Sequence, residues 1–307
     1  MSAEQPLVTA IITSYKRPVE TVHRALVSAI NQTYPKLEIL LVNDCPEDAN
    51  LSASLEILCQ ELSATRPVSY ISMESNGGAC KARNLGARQS SGQYLAFLDD
   101  DDEWQPSKIE QQVAAAQSHP EAGLVYCNAI LQYDGSDKPD GLLATEPMPS
   151  GDIFYQLLGS NFIASCSYPL ISRELFTQLG GFNEHMPALQ DWELYLRLVK
   201  QAPAAYVSEP LARYHFHQGE RISAHPERRT GAFEIIHARY QRELSTNAVS
   251  ASSFLLVGTY LYSVAGNMGQ AWRYYRMAVR LDPGKLKRNT RDFFRMALRP
   301  FVNTKIV

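Results

Sequence analysis

The amino-acid sequence predicts an α/β protein with a mostly parallel central sheet, followed by an all-α appendage at the C-terminal end. Two observations carry the first part. Short apolar runs alternate with helix-period segments through the first hundred residues, as consecutive βαβ units require. The runs are also almost continuously apolar, as strands covered on both faces must be. The appendage follows from a third observation, a helical pattern that holds from about Pro226 onward.

Leu7 to Ile12 reads as the first strand. Val22, Ala25, Leu26, Ala29 and Ile30 then recur at helical spacing, with Pro18 suited to the first helical turn. Leu37 to Val42, Val68 to Ile71 and Tyr94 to Leu98 complete the strand series, with helices expected over Ala79 to Gln89 and Pro106 to Gln117. Leu124 to Ile130 is a further strand. Asp134 to Gly151, rich in Gly, Pro, Asp and Ser, reads as a long loop of a length uncommon without a function. A helix at Trp192 to Lys200 and a strand at Ala212 to His217 precede the helical region. The expected division is 1–224 for the α/β domain and 225–307 for the extension.

With 307 residues, 45% hydrophobic and 20% charged, the chain has room for a sizeable core, which excludes disordered and collagen-like classes. Its five cysteines are odd in number and lack any CxxC pair, so neither a disulfide framework nor a zinc site is indicated. A reducing, cytoplasmic setting fits that usage. The N-terminus lacks the blocks of a signal peptide, and the most apolar stretch, Phe254 to Ala265, is too short and polar to span a bilayer. The net charge of −3 hides an asymmetry: residues 273–305 carry a local +8, leaving about −11 on the remainder.

Each early strand ends in a polar cluster: Thr13-Ser14-Tyr15, Asn43-Asp44, and Asp99 to Asp102. Ligands of open α/β sheets lie outside the carboxyl ends of the strands, so these clusters should converge on one crevice, with a nucleotide as the default guest. No GxGxxG or GxxxxGK[ST] follows the first strand, which argues against a dinucleotide-binding Rossmann domain and a P-loop enzyme.

Asp99-Asp100-Asp101-Asp102-Glu103 puts five carboxylates at one strand end. Two carboxylates about 4 Å apart repel by roughly 4 kcal/mol at a surface-like dielectric, which favours a bound cation. Hard oxygen ligands point to Mg²⁺ or Mn²⁺. In an extended segment Asp99 and Asp101 share one face, and Asp100 and Asp102 the other. The competing reading is a solvated acidic turn with one Asp capping the next helix.

Val8 to Tyr15, Leu41-Val42-Asn43-Asp44, Asn76-Gly77-Gly78 with Ala82 to Gly86, Phe97 to Trp104, Gly180-Gly181-Phe182 and Gln190-Asp191-Trp192-Glu193-Leu194 resemble, in order, the motif series of glycosyltransferase family 2. The resemblance covers residues 7 to about 223. It implies a GT-A fold, a sugar-nucleotide donor and inversion at the anomeric centre. Carried over residue by residue, it gives Thr13 and Tyr15 to the base and ribose, and Asp44 to the base edge. Arg83 goes to the nucleotide or its phosphates, Asp99 to the vicinity of the ribose, and Asp101 to the metal bridging the phosphates. Asp44 bracing a turn, Arg83 as a helix-surface arginine, and a shift of register to Asp100 and Asp102 stay open. Asp191 becomes the base for the acceptor hydroxyl, with an N-cap as its compatible structural role. The family usually has Glu-Asp where this chain has Gln190-Asp191, a departure that spares the Asp. His217 matches a position that reaches the metal or the leaving phosphate, while His215, two residues earlier, keeps a structural reading.

In the appendage Tyr262, Ala271, Tyr275, Ala278 and Pro283 fall at tetratricopeptide spacings, with Gly266-Asn267 as the turn of a single hairpin. Farther on, Phe293 and Phe294 share a helix face flanked by Lys287, Arg288, Arg291 and Arg295. That pattern suits an anionic membrane surface at the inner face, or a terminal helix packed on the hairpin. The acidic remainder of the chain makes nucleic acid the poorer partner. The expectation is therefore a metal-dependent, inverting glycosyltransferase. It would move a sugar from a nucleotide-diphosphate donor, uridine-linked for preference, to a hydroxyl of a glycan or lipid-linked glycan acceptor in cell-surface polysaccharide synthesis. The alternative is a non-catalytic sugar-nucleotide or divalent-metal binding module with a partner-recruiting tail.

Overall fold

The computed structural model describes residues 5–216 and 225–283. The chain divides into two compact units, one drawn from residues 1–153, 163–184 and 197–218, the other from 154–162, 185–196 and 219–307. In chain order the elements are β1 (Val8–Ser14), α1 (Val19–Ile30), β2 (Leu37–Asn43), α2 (Ala49–Leu62), β3 (Val68–Ser72), α3 (Ala79–Arg88), β4 (Tyr94–Asp99), β5 (Glu103–Trp104), α4 (Lys108–Ser118), β6 (Leu124–Tyr133) and β7 (Gly141–Leu142). They continue with α5 (Phe154–Gly159), β8 (Leu170–Ser172), α6 (Arg173–Gln178), α7 (Gln190–Val199), β9 (Ala204–Phe216), α8 (Pro226–Arg239), α9 (Gln241–Thr246), α10 (Ala248–Val264) and α11 (Met268–Leu281).

The nine strands among the described residues form one sheet in the order β3-β2-β1-β4-β8-β6-β9-β5, with β7 paired to β6. β1, β2, β3 and β4 run parallel, as do β6 and β9, whereas β8 is antiparallel to both of its neighbours. The mostly parallel α/β sheet expected from the sequence is present. β1 can be central because six of its seven residues are buried, so helices must cover both faces. On one face α3 comes unusually near: a Cβ on Gly86 would sit 2.6 Å from Ile11 Cγ2, a contact that only glycine avoids.

The structure differs from the sequence reading in several places. β6 runs three residues past Ile130, and part of the expected loop after it folds back as β7. β9 begins eight residues before Ala212, and its long pairing with β6 is interrupted by a bulge at Asn128. β8 and α2 are additions to the elements that the sequence pattern predicts.

The second unit contains α5, the start of α7, and α8 to α11. α10 and α11 form the expected hairpin, turning at Gly266 (φ 74°), with Asn267 accepting from the Gln270 amide at 3.1 Å to cap α11. Glu234 of α8 ties both helices together, its Oε1 accepting from Tyr262 at 2.7 Å and from Tyr274 at 2.6 Å. α5 is pinned to α10 by the Ser250 hydroxyl, which donates to the Tyr155 carbonyl at 2.7 Å. Trp192 of α7 is fully buried, donates to the Leu157 carbonyl at 2.8 Å and packs on Phe254. No helix among the described residues is long and apolar enough to cross a membrane.

Candidate active site

The parallel register sets the framework: Thr13 lies beside Val42 on one side and Asp99 on the other. The carboxyl ends of β1, β2 and β4 therefore meet at one edge, with Tyr15 exposed just beyond. Asp44, buried after β2, accepts from the backbone amides of Gly77 at 2.7 Å and Gly78 at 2.8 Å and from the Asn76 side chain at 3.2 Å. Its carboxylate thus shapes the turn that starts α3, where Gly78 takes φ 83°. Burial pushes the Asp44 pKa up, against the pull of the two amides.

One turn into α3, Arg83 is buried and donates to Asp99 Oδ1 at 2.6 Å, which corrects the reading of a helix-surface arginine. Its guanidinium lies 5.3 Å from the Phe182 ring centroid. The neighbouring Asn84 exchanges two 2.9 Å hydrogen bonds with the backbone of Phe182. A Cβ on Gly181 would come within 2.5 Å of the Asn84 amide oxygen. Two motifs a hundred residues apart are in this way parts of a single contact.

Burial alternates along the acidic run: Asp100 and Asp102 are buried, whereas Asp99 and Asp101 keep partial exposure. Asp102 accepts from Ser167 at 2.6 Å and from Ser165 at 3.3 Å, while its Oδ1 is buried with no hydrogen-bond partner. Burial, with repulsion from Asp99 and Asp101, holds its pKa well above the ordinary range. Burial and then Asp101 push Asp100 up to about 7, against Arg17. Besides the metal ion that the sequence suggests, arginines supply counter-charge to this run. Arg17 reaches Asp100 at 3.0 Å and Asp101 at 2.8 Å, and Arg24 donates to the Asp101 carbonyl at 2.9 Å and lies 3.4 Å from Glu103. Neither Arg17 nor Arg24 stood out in the sequence, because each reaches an acid about eighty residues away.

The donor set suits a hard cation. Asp99 and Asp101 offer part-exposed oxygens, and Mg²⁺ is ordinarily held by one or two carboxylates with substrate phosphates completing its shell. Among the described residues no group of three or more His, Cys, Asp or Glu side chains is arranged to hold an ion without such help. His215 is buried between Glu103 Oε1, 2.7 Å from Nε2, and Asp134 Oδ2, 3.0 Å from Nδ1. That contact with the imidazole holds Glu103 below the usual carboxylate range. His217 lies outside the described residues.

In the second unit Asp191 occupies the first turn of α7. The helix opens at Gln190, so Asp191 lies inside it and is not the N-cap. Asn161, just past α5, donates from Nδ2 to Asp191 Oδ2 at 3.1 Å. Nothing in the local sequence pattern marks Asn161.

An open, mostly parallel sheet with an acidic run at the carboxyl end of its fourth strand is the architecture of the GT-A class. Residues 9–180 match the profile described as Glycosyl transferase family 2, and the chain belongs to that family of glycosyltransferases. An uncharacterized glycosyltransferase of Haemophilus influenzae is 28% identical over 276 residues, 88% of each chain. A Bacillus subtilis protein that carries the name teichuronic acid biosynthesis glycosyltransferase TuaG is 30% identical over 221 residues, 70% of this chain and 81% of that protein. An uncharacterized glycosyltransferase of Rickettsia felis is 32% identical over 72% of this chain, which spans only 36% of that longer protein. Among solved structures, S. aureus TarS 1-349 in complex with UDP-GlcNAc superposes with a TM-score of 0.64 at 16% identity, over 98% of this chain and 93% of that one. The Pyrobaculum calidifontis mannosyltransferase PcManGT in complex with GDP-Man and Mn2+ superposes with a TM-score of 0.57 at 17% identity, over 99% and 89%. At such identities the likeness is one of fold.

Proposed function

We propose that this protein is a metal-dependent, inverting glycosyltransferase that moves a sugar from a nucleoside-diphosphate donor, uridine-linked for preference, to a hydroxyl of a glycan or lipid-linked glycan during cell-surface polysaccharide synthesis. The observation that carries the reading is the alternation along Asp99 to Asp102, which leaves Asp99 and Asp101 part-exposed at the strand end that Thr13 adjoins. The names of TuaG and of the two ligand-bound structures support the substrate classes.

In this reading Thr13, Tyr15 and the turn braced by Asp44 receive the base and ribose, and Asp99, fixed by Arg83, sets the ribose end of the diphosphate. Asp101 holds Mn²⁺ or Mg²⁺, with His217 as a further contact. Such an ion would neutralise charge growing on the departing diphosphate. Asp191 takes the acceptor proton as the hydroxyl oxygen attacks the anomeric carbon from the face opposite the leaving group. The amide of Asn161 on one carboxylate oxygen keeps that side chain in one orientation.

We assign residues 1–224 to the catalytic domain and 225–307 to a helical extension. We place the protein in the cytoplasm, at the inner face of the membrane through its basic C-terminal tail. Exposed Trp272 and Met268 on α11, beside exposed Arg273, Arg276 and Arg280, suit such a surface. The test is a panel of UDP- and GDP-sugars with Mn²⁺, scored for donor turnover and for protection against heat unfolding. Protection without turnover would favour a binding module over an enzyme.

A further inference from the structure

Lys16 takes φ 52°, a left-handed conformation uncommon outside glycine, in the short connection between β1 and α1. Pro18 follows directly with its fixed φ. Between these two constraints Arg17 extends its guanidinium across to the acidic run, with Nε 3.0 Å from Asp100 Oδ1 and Nη2 2.8 Å from Asp101 Oδ2. Its side chain remains about one-fifth exposed. Among the described residues, two further arginines at the cluster are engaged differently: Arg83 is buried on Asp99, and Arg24 holds the backbone carbonyl of Asp101. Arg17 therefore stands where the repulsion among these carboxylates calls for a positive charge, and on the carboxylate that the proposed function gives to the divalent ion.

We propose that Arg17 is a built-in counter-cation that competes with the divalent ion for Asp101 and, when displaced, becomes a ligand of the donor's diphosphate. This rests on the assignment of the metal to Asp101. A guanidinium and a divalent cation cannot neutralise the same carboxylate without repelling each other, so metal binding has to loosen the Arg17 pair. The freed fork is planar, permanently charged and matched to phosphate oxygens. It belongs to the connection that also carries Tyr15, next to the strand end where the diphosphate would lie. Arginine and metal would thus exchange places as the donor arrives, which keeps the run neutralised both before and after binding.

The exchange predicts opposite signs in two calorimetric titrations of the full chain, one with Mn²⁺ alone and one with UDP at saturating Mn²⁺. Arg17→Met, which keeps the bulk of the side chain without its charge, should bind Mn²⁺ alone about 10-fold more tightly than the wild type. The same variant should bind UDP about 10-fold more weakly. Arg17→Lys, which keeps the charge without the fork, should bind Mn²⁺ like the wild type and UDP with intermediate affinity. A purely structural arginine would weaken both titrations on removal. Weaker or unchanged Mn²⁺ binding by Arg17→Met overturns the proposal, as does unchanged UDP binding. Asp101→Asn is run in parallel: if it binds Mn²⁺ like the wild type, the metal assignment itself fails, whatever Arg17→Met does.

Discussion

Asn161 and Asp191 are joined by a 3.1 Å hydrogen bond from the amide nitrogen to a carboxylate oxygen, although thirty residues separate them. The next residue of α7, Trp192, is held by the last full turn of α5 through the Leu157 carbonyl. Two neighbouring side chains of α7 are therefore fixed by the same short helix and the residues that follow it. Asp191→Asn keeps the size of the side chain but cannot accept a proton. Donor turnover should fall by roughly 10² or more while UDP affinity with Mn²⁺ stays near that of the wild type. Asn161→Ala leaves the base in place but loosens it, and should cost between about 10-fold and 10²-fold in kcat with little change in KM. Turnover within a few-fold of wild type in Asp191→Asn would reduce Asp191 to a helix residue.

The burial alternation along the acidic run gives a second prediction. Asp101→Asn should lose Mn²⁺-dependent UDP binding. Asp102→Asn, which can still accept from Ser167 through its amide oxygen, should keep most of it. The reverse order in a calorimetric titration would shift the metal to Asp100 and Asp102.

A third concerns pH. Asp100 is pushed up to about 7 in the folded chain, against 3.8 for an ordinary aspartate. Between those values the folded chain holds a proton that the unfolded chain has released, so this residue's contribution to stability falls as pH rises from about 4 to 7. Asp100→Asn has no such proton. Its melting temperature relative to wild type should climb across that window; a constant difference would show that the Arg17 pair keeps Asp100 ionised throughout.

The fourth is the membrane contact. Sedimentation with anionic and neutral vesicles should show salt-sensitive binding of the full chain to the anionic ones only, and most of it should be lost in a chain ending at Pro283. Equal behaviour of the two chains would rule out the tail as an anchor.

Much of the sheet was legible because its first strands are covered on both faces and so write uninterrupted apolar runs. β8 escaped because three residues, Leu170-Ile171-Ser172, are too few to show a period, and α2 because only Leu55, Leu58 and Cys59 of its fourteen residues are buried. The site divides in the same way. Asp44, Arg83 and the acidic run belong to ordered motifs and could be singled out. Arg17 and Asn161 could not, because what distinguishes each is a partner brought near only by the fold. The GGF motif was visible as a pattern, but its reason, the lack of room beside Asn84 at Gly181, is a distance. The membership of 154–162 and 185–196 in the helical unit is tertiary information too, since a short helix does not announce what it packs against.

That membership bears on how the protein can be dissected. Shortening the gene at the end of β9 leaves all the strands described above encoded. The product would nevertheless carry an indole, that of Trp192, stripped of Phe254, and a Tyr155 carbonyl deprived of the Ser250 hydroxyl. The outcome to expect is a sticky, poorly soluble fragment in which the segment around Asp191 no longer has a defined shape. For expression and for screening, the helices after residue 225 have to travel with the sheet.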